Sequence, residues 1–198
     1  MSSAHTLALL CQSIYNPSGE FDRIYSNDAV TVGHVVVDGL DVFVFRGTAD
    51  IDDVLLDIDA INLIHVPLVG HVGDGFHEGI SDIYDQINLR AGQTVIITGH
   101  SKGGSNAEIF ARYCLLRGVT VLDLTVFEPP RTGMQDFYDG LRGCKRITAY
   151  CNGLDPVPLV PIGHDQLPLI HIDMKPHGLF EELNPIDYHD ITLCIEGT

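Results

Sequence analysis

The run Thr94-Val95-Ile96-Ile97-Thr98 passes directly into Gly99-His100-Ser101-Lys102-Gly103, and residues 104–116 that follow read as a helix. A short, continuously apolar run is the pattern of a strand buried on both faces, as in the centre of a parallel sheet. A serine with glycine two residues away on either side, set between strand and helix, implies a sharp turn. Side chains at Gly99 and Gly103 would collide across that turn, and the bend holds the Ser101 hydroxyl clear of the backbone. The helix that follows points its N-terminal N–H groups at the same spot, where negative charge develops during acyl transfer. Five matching residues alone also fit an unrelated glycine-rich turn; the flanking strand and helix separate the two readings.

The rest of the chain supplies the surrounding layers. Ser3 can cap a helix with Leu7, Leu10, Cys11 and Ile14 on one face, stopped by Asn16-Pro17 and Gly19. Extended runs at 31–37 and 41–45 flank Asp38-Gly39, a pair suited to a tight hairpin. Phe76, Ile80, Ile83, Tyr84 and Ile87 recur at helical spacing. Residues 119–127 and 147–150 read as strands and 135–141 as a helix. The expected fold is therefore α/β, a mainly parallel central sheet with helices on both faces. Beyond Pro156 the pattern weakens. Four of the ten prolines fall between Pro156 and Pro168, which predicts loop, with a short strand near 169–172.

A length of 198 residues suits one domain, residues 1–198, and 45% hydrophobic against 19% charged residues is ordinary globular composition. The net charge of −16 opposes binding to nucleic acid and to anionic membrane surfaces. Five cysteines, Cys11, Cys114, Cys144, Cys151 and Cys194, form no disulfide or zinc spacing, so reduced thiols are expected. No apolar stretch reaches a membrane span, and Met1 to Leu10 lacks a secretory pattern; a cytoplasmic location is the expectation, with release by lysis or a leaderless route left open.

Several segments occur together in one order: Val44-Phe45-Arg46-Gly47-Thr48, Asp74-Gly75-Phe76, the serine block through Gly104, Phe127-Glu128-Pro129-Pro130-Arg131-Thr132-Gly133, Asp155-Pro156-Val157-Pro158, and a late His189. In this the chain resembles the class 3 lipases, typified by fungal triacylglycerol lipases, over most of its length from about Val42. The resemblance implies an α/β-hydrolase fold and hydrolysis of a small-molecule or lipid ester. It departs from the family at Lys102, where a leucine-like residue is usual, at Glu128, usually glycine, at Asp74, usually histidine, and near Val54, where tryptophan is usual.

Serine needs a base at neutral pH, and imidazole suits that role. The family order of Ser, Asp, His points to His189, with His164, His171 and His177 as rivals. The carboxylate partner is Asp155, which follows the strand at 147–150, with Asp123 in reserve. The resemblance makes Thr48 an oxyanion donor, beside the backbone N–H of Lys102. No cofactor is expected, and no metal, since no His-Glu-x-x-His or comparable spacing occurs. Residues 49–58 carry apolar spacing at Ile51, Val54, Leu55 and Ile58, which fits either a short cover over the site or a packed surface helix. A phospholipase, an acyltransferase and a non-catalytic binding domain on the same scaffold remain alternatives.

Overall fold

The computed structural model describes residues 3–48, 58, 61–174 and 185–198. Among them, seven strands form one sheet: β1 (Arg23–Ser26), β2 (Thr31–Val37), β3 (Leu40–Phe45), β6 (Thr94–His100), β7 (Thr120–Phe127), β8 (Ile147–Asn152) and β9 (Leu169–Ile172), in that spatial order. β1, β2 and β3 pair antiparallel, whereas β3, β6, β7, β8 and β9 run parallel. β4 (Leu63–Val66) and β5 (Gly70–Gly73) make a separate hairpin. The helices are α1 (Ala4–Ser13), α2 (Asp74–His77), α3 (Ile80–Ile87), α4 (Lys102–Leu116), α5 (Gln135–Gly140) and α6 (Ile191–Gly197).

The two-residue period of the central strands divides the core. Phe43, Phe45, Val95 and Ile97 face one layer with Ile83 of α3, Ile109 and Phe110 of α4, and Phe137 of α5. Val42, Val44 and Ile96 face the other, against Leu7, Cys11 and Ile14 of α1 and Ile191 and Cys194 of α6. Full burial of each such side chain contributes on the order of 2 kcal/mol. The parallel strands accordingly read as continuous apolar runs. Among the described residues no helix is long and apolar enough to cross a membrane. All five cysteines are free.

Four local features depart from the sequence reading, the first being the edge strand β1, which that reading left out. The helical spacing from Phe76 to Ile87 is not one helix: Glu78 is extended, with ψ 128°, and Gly79 turns left-handed at φ 75°. The Asn27 amide lies against Gly79 and donates to its carbonyl at 2.9 Å, so this break is held by a residue far away in sequence. The hairpin of β4 and β5 was not foreseen, since β4 is mostly exposed and lacks apolar alternation. Helix α6 was also missed, although Asp190 caps it by accepting the Thr192 N–H at 2.9 Å.

Candidate active site

The strand β6 delivers Ser101 to the carboxyl edge of the sheet, and α4 starts with the next residue. Ser101 has φ 57° and ψ −135°, a conformation costly for a residue with a Cβ. Its backbone is held from both sides: its N–H donates to Phe127 O at 3.0 Å, and its carbonyl accepts from Gly104 N–H at 2.8 Å. A Cβ on Gly99 would strike the Gly103 backbone, and one on Gly103 would strike the carbonyl of Phe45, so both glycines are dictated by contact. The loop after β3 lies against this turn: a Cβ on Gly47 would come within 3.1 Å of Ser101 Cβ. Thr48 follows and borders the cavity at Ser101. Lys102 opens α4, so its N–H belongs to the first turn, whose donors have no intrahelical partner.

His189 comes from the short turn before α6, where its N–H donates to Ile186 O at 2.9 Å. Asn152 at the end of β8 ties that turn down by donating to Tyr188 O at 3.3 Å. The ring is fully buried, and its Nδ1 lies 2.8 Å from Asp155 Oδ2. The other Asp155 oxygen accepts the Val157 N–H at 2.9 Å, so the carboxylate is fixed at both ends. Nδ1–H donating to Asp155 leaves Nε2 as the basic nitrogen of a neutral imidazole. A cavity of about 200 Å³ is bordered by Tyr15, Thr48, His100, Ser101, His189, Asp190 and Ile191. Ser101 Oγ and His189 Nε2 are both buried without a hydrogen-bond partner among the described residues.

The rival residues lie elsewhere. His164 Nδ1 is 3.1 Å from Arg131 O, His171 is exposed on β9, and His177 lies outside the described residues. Asp123 accepts from Thr125 Oγ1 at 3.0 Å and pairs with Arg146. The segment 49–58 also lies outside the described residues except for Ile58, which is buried in the core.

Three residues that the sequence reading gave no role join here: His100 and Glu128 lie against His189, and Tyr15 reaches it through His100. His100 stacks on it, with ring centroids 4.7 Å apart and planes 28° from parallel. His100 Nε2 lies 2.9 Å from Glu128 Oε2, and its Nδ1 lies 2.9 Å from the Tyr15 hydroxyl. Burial pushes His100 down to about 4, so the ring is neutral, and pushes Glu128 up to about 8 against the opposing pull of His189. The ligand-type atoms of His100, Glu128 and His189 lie within 4.8 Å of one another, the spacing of a metal site. Hydrogen bonds within the cluster and to Asp155 already engage them.

A mostly parallel sheet with a serine turned out at the carboxyl edge of a central strand defines an α/β-hydrolase-type fold. The profile of the class 3 lipases matches residues 42–164, and the chain belongs to that family. Its fold is shared with Lip2 lipase from Yarrowia lipolytica at 19% identity and TM-score 0.70, covering 87% of this chain and 78% of that one. It is also shared with Rhizomucor miehei lipase in its propeptide complex, at 20% identity and TM-score 0.63, covering 79% of this chain and 61% of the other. A triacylglycerol lipase from Penicillium expansum matches at 23% identity and TM-score 0.56, covering 79% and 70%. The chain thus spans about three fifths of the length of the Rhizomucor enzyme. Comparison with curated proteins finds no match.

Proposed function

We propose that the chain is a serine ester hydrolase, a lipase or carboxylesterase, with Ser101 as nucleophile, His189 as base and Asp155 as the carboxylate that orients it. The observation carrying this reading is the pair of buried, unpartnered polar atoms, Ser101 Oγ and His189 Nε2, on one cavity, with the other nitrogen of His189 bonded to Asp155. Buried polar atoms without partners call for an explanation, and a site awaiting an ester supplies one.

In the proposed reaction Ser101 Oγ bonds to the ester carbonyl carbon as its proton passes to His189 Nε2. The backbone N–H groups of Thr48 and Lys102 hold the oxyanion. His189 then protonates the leaving alcohol as its C–O bond breaks; water, deprotonated by the same nitrogen, bonds to the acyl carbon, and the acid leaves as the C–Oγ bond breaks and His189 returns the proton to Ser101. Asp155 stabilises the imidazolium that forms in each half. Replacing Ser101 by Ala should lower turnover of a short-chain chromogenic ester by about a thousandfold or more. Undiminished turnover in folded protein would overturn the assignment.

One observation favours a second reading, an ester whose alcohol part carries an anionic group, as in a phospholipid. A cavity of about 240 Å³ bordered by Arg46 and Lys102 adjoins the first through Thr48, with Asp28 on its wall. Two cations at one cavity stand out where 11 basic residues face 27 acidic ones. Lys102→Ala keeps the backbone donor and should reduce kcat/KM for an anionic ester while sparing a neutral ester of the same acyl chain; equal effects on both would count against this reading.

A further inference from the structure

We propose that Glu128 is a positioning residue for His189: with His100 and Tyr15 it forms a second hydrogen-bonded chain that backs the imidazole and sets a second carboxyl beside Asp155. The inference rests on the reading of Ser101 and His189 given above and adds a regulating group to it.

Position is the first argument. Glu128 Oε2 lies 3.6 Å from His189 Nδ1, the nitrogen bonded to Asp155, and 2.9 Å from His100 Nε2. The His100 ring, held at its other nitrogen by Tyr15, lies flat against the His189 ring, so the three residues limit how that imidazole can tilt. Tyr15 reaches the cavity that Ser101 borders, so the chain runs from the buried carboxyl to the substrate space.

Strain and desolvation are the second argument. Glu128 has φ 51°, a left-handed conformation that glycine adopts freely and that a side chain makes costly. Its carboxyl is fully buried, and apart from the weak donor Cys194 beside the carboxyl, Oε1 has no hydrogen-bond partner among the described residues. Glycine would avoid all of these costs at this position, and each is typical of a group kept for what it does at a site.

The charge logic follows from the neighbours. Glu128 faces His100, His189 and Asp155, with Asp190 and Cys194 from the start of α6, Cys151 from β8, and Tyr15 beyond His100. Burial makes the carboxyl hold its proton to higher pH than an exposed one, and while protonated it donates to His100 Nε2, with the His100 Nδ1–H donating to Tyr15. When Glu128 loses that proton, His100 takes the other tautomer: Nε2–H donates to Glu128, and Nδ1 accepts from the Tyr15 hydroxyl. The chain stays satisfied, and His189 then faces two carboxylates, which favours the imidazolium formed as Ser101 attacks.

The test compares kcat and KM across pH for wild type and Glu128→Gln, which keeps the shape but cannot ionise. In wild type kcat should rise as Glu128 ionises, with a midpoint near 8. With each protein scaled to its own kcat at neutral pH, Glu128→Gln should lack that rise and end about tenfold below wild type at alkaline pH, equivalent to about one pKa unit, with KM showing no such pH dependence. Superimposable profiles would overturn the proposal. Should Glu128→Gln not fold, the imidazole NMR signals of His189 in wild type give the same answer: an inflection near 8 supports the proposal, and its absence sinks it. Failure to hydrolyse any ester, with the inflection present, would instead count against the hydrolase reading.

Discussion

Asp155 is held so that only one tautomer of His189 is useful: both carboxylate oxygens are engaged, one by Nδ1 and the other by the Val157 N–H. Asp155→Asn should fold normally yet lower kcat by roughly 10³–10⁴-fold, because an amide can present an N–H to Nδ1 and turn the lone pair away from Ser101. Steady-state kinetics beside a circular dichroism spectrum checks this, and a loss of only a few fold would remove Asp155 from the account. Gly47 is constrained more severely. A Cβ there would lie 2.5 Å from the Tyr15 hydroxyl and 2.6 Å from the His100 carbonyl, so Gly47→Ala should displace Thr48 and reduce kcat more than it raises KM. Ser101 and its glycines were legible in sequence because their constraint is local, a bend that fails if either glycine gains a side chain. Asp155 was legible from its place after the strand at 147–150, and His189 only through chain order. Tyr15, His100 and Glu128 were not, because their meeting depends on α1, β6 and the end of β7 folding together; the sole signal was an acid at 128 where the resemblance calls for glycine.

The elements show the same division between local and distant causes. The central strands were readable from continuous apolar runs, and β2 and β3 from Asp38-Gly39 at their turn, where both residues adopt positive φ. The break between α2 and α3 was hidden because helical spacing persists through it, while its cause, the Asn27 amide at Gly79, comes from the loop after β1. Gly79→Ala should therefore cost about 1–3 kcal/mol, from the left-handed backbone and the displaced amide, although alanine favours helices in general. Urea denaturation measures it, and a stabilised variant would show that the break is incidental. Helix α6 could have been read from Asp190 ahead of Ile191, Leu193 and Cys194, but seven residues carry too little periodicity to stand out after a proline-rich stretch.

For the whole molecule, the acidic surface is less informative about pH than three buried groups. Glu108 and Glu128 are each pushed up to about 8 by burial, so the folded chain holds protons there that the unfolded chain releases above about 4.5. Stability from these groups therefore falls as pH rises through that window. His100, pushed down to about 4, works in the opposite direction: the unfolded chain binds its proton up to about 6.5, so stability rises with pH across that interval. Glu108→Gln should shrink the fall in Tm between about pH 4.5 and about 8 without changing the pH dependence of catalysis, since Glu108 contacts Thr132 and Tyr138 and not His189. Parallel Tm curves for the two proteins would contradict that assignment. The most direct measurement of the central claim is covalent labelling with an organophosphonate ester, located by peptide mass. The account predicts one adduct, on Ser101, formed by wild type and at least about a hundredfold more slowly by His189→Ala. No adduct, an adduct on another residue, or equal rates in the two proteins would contradict it.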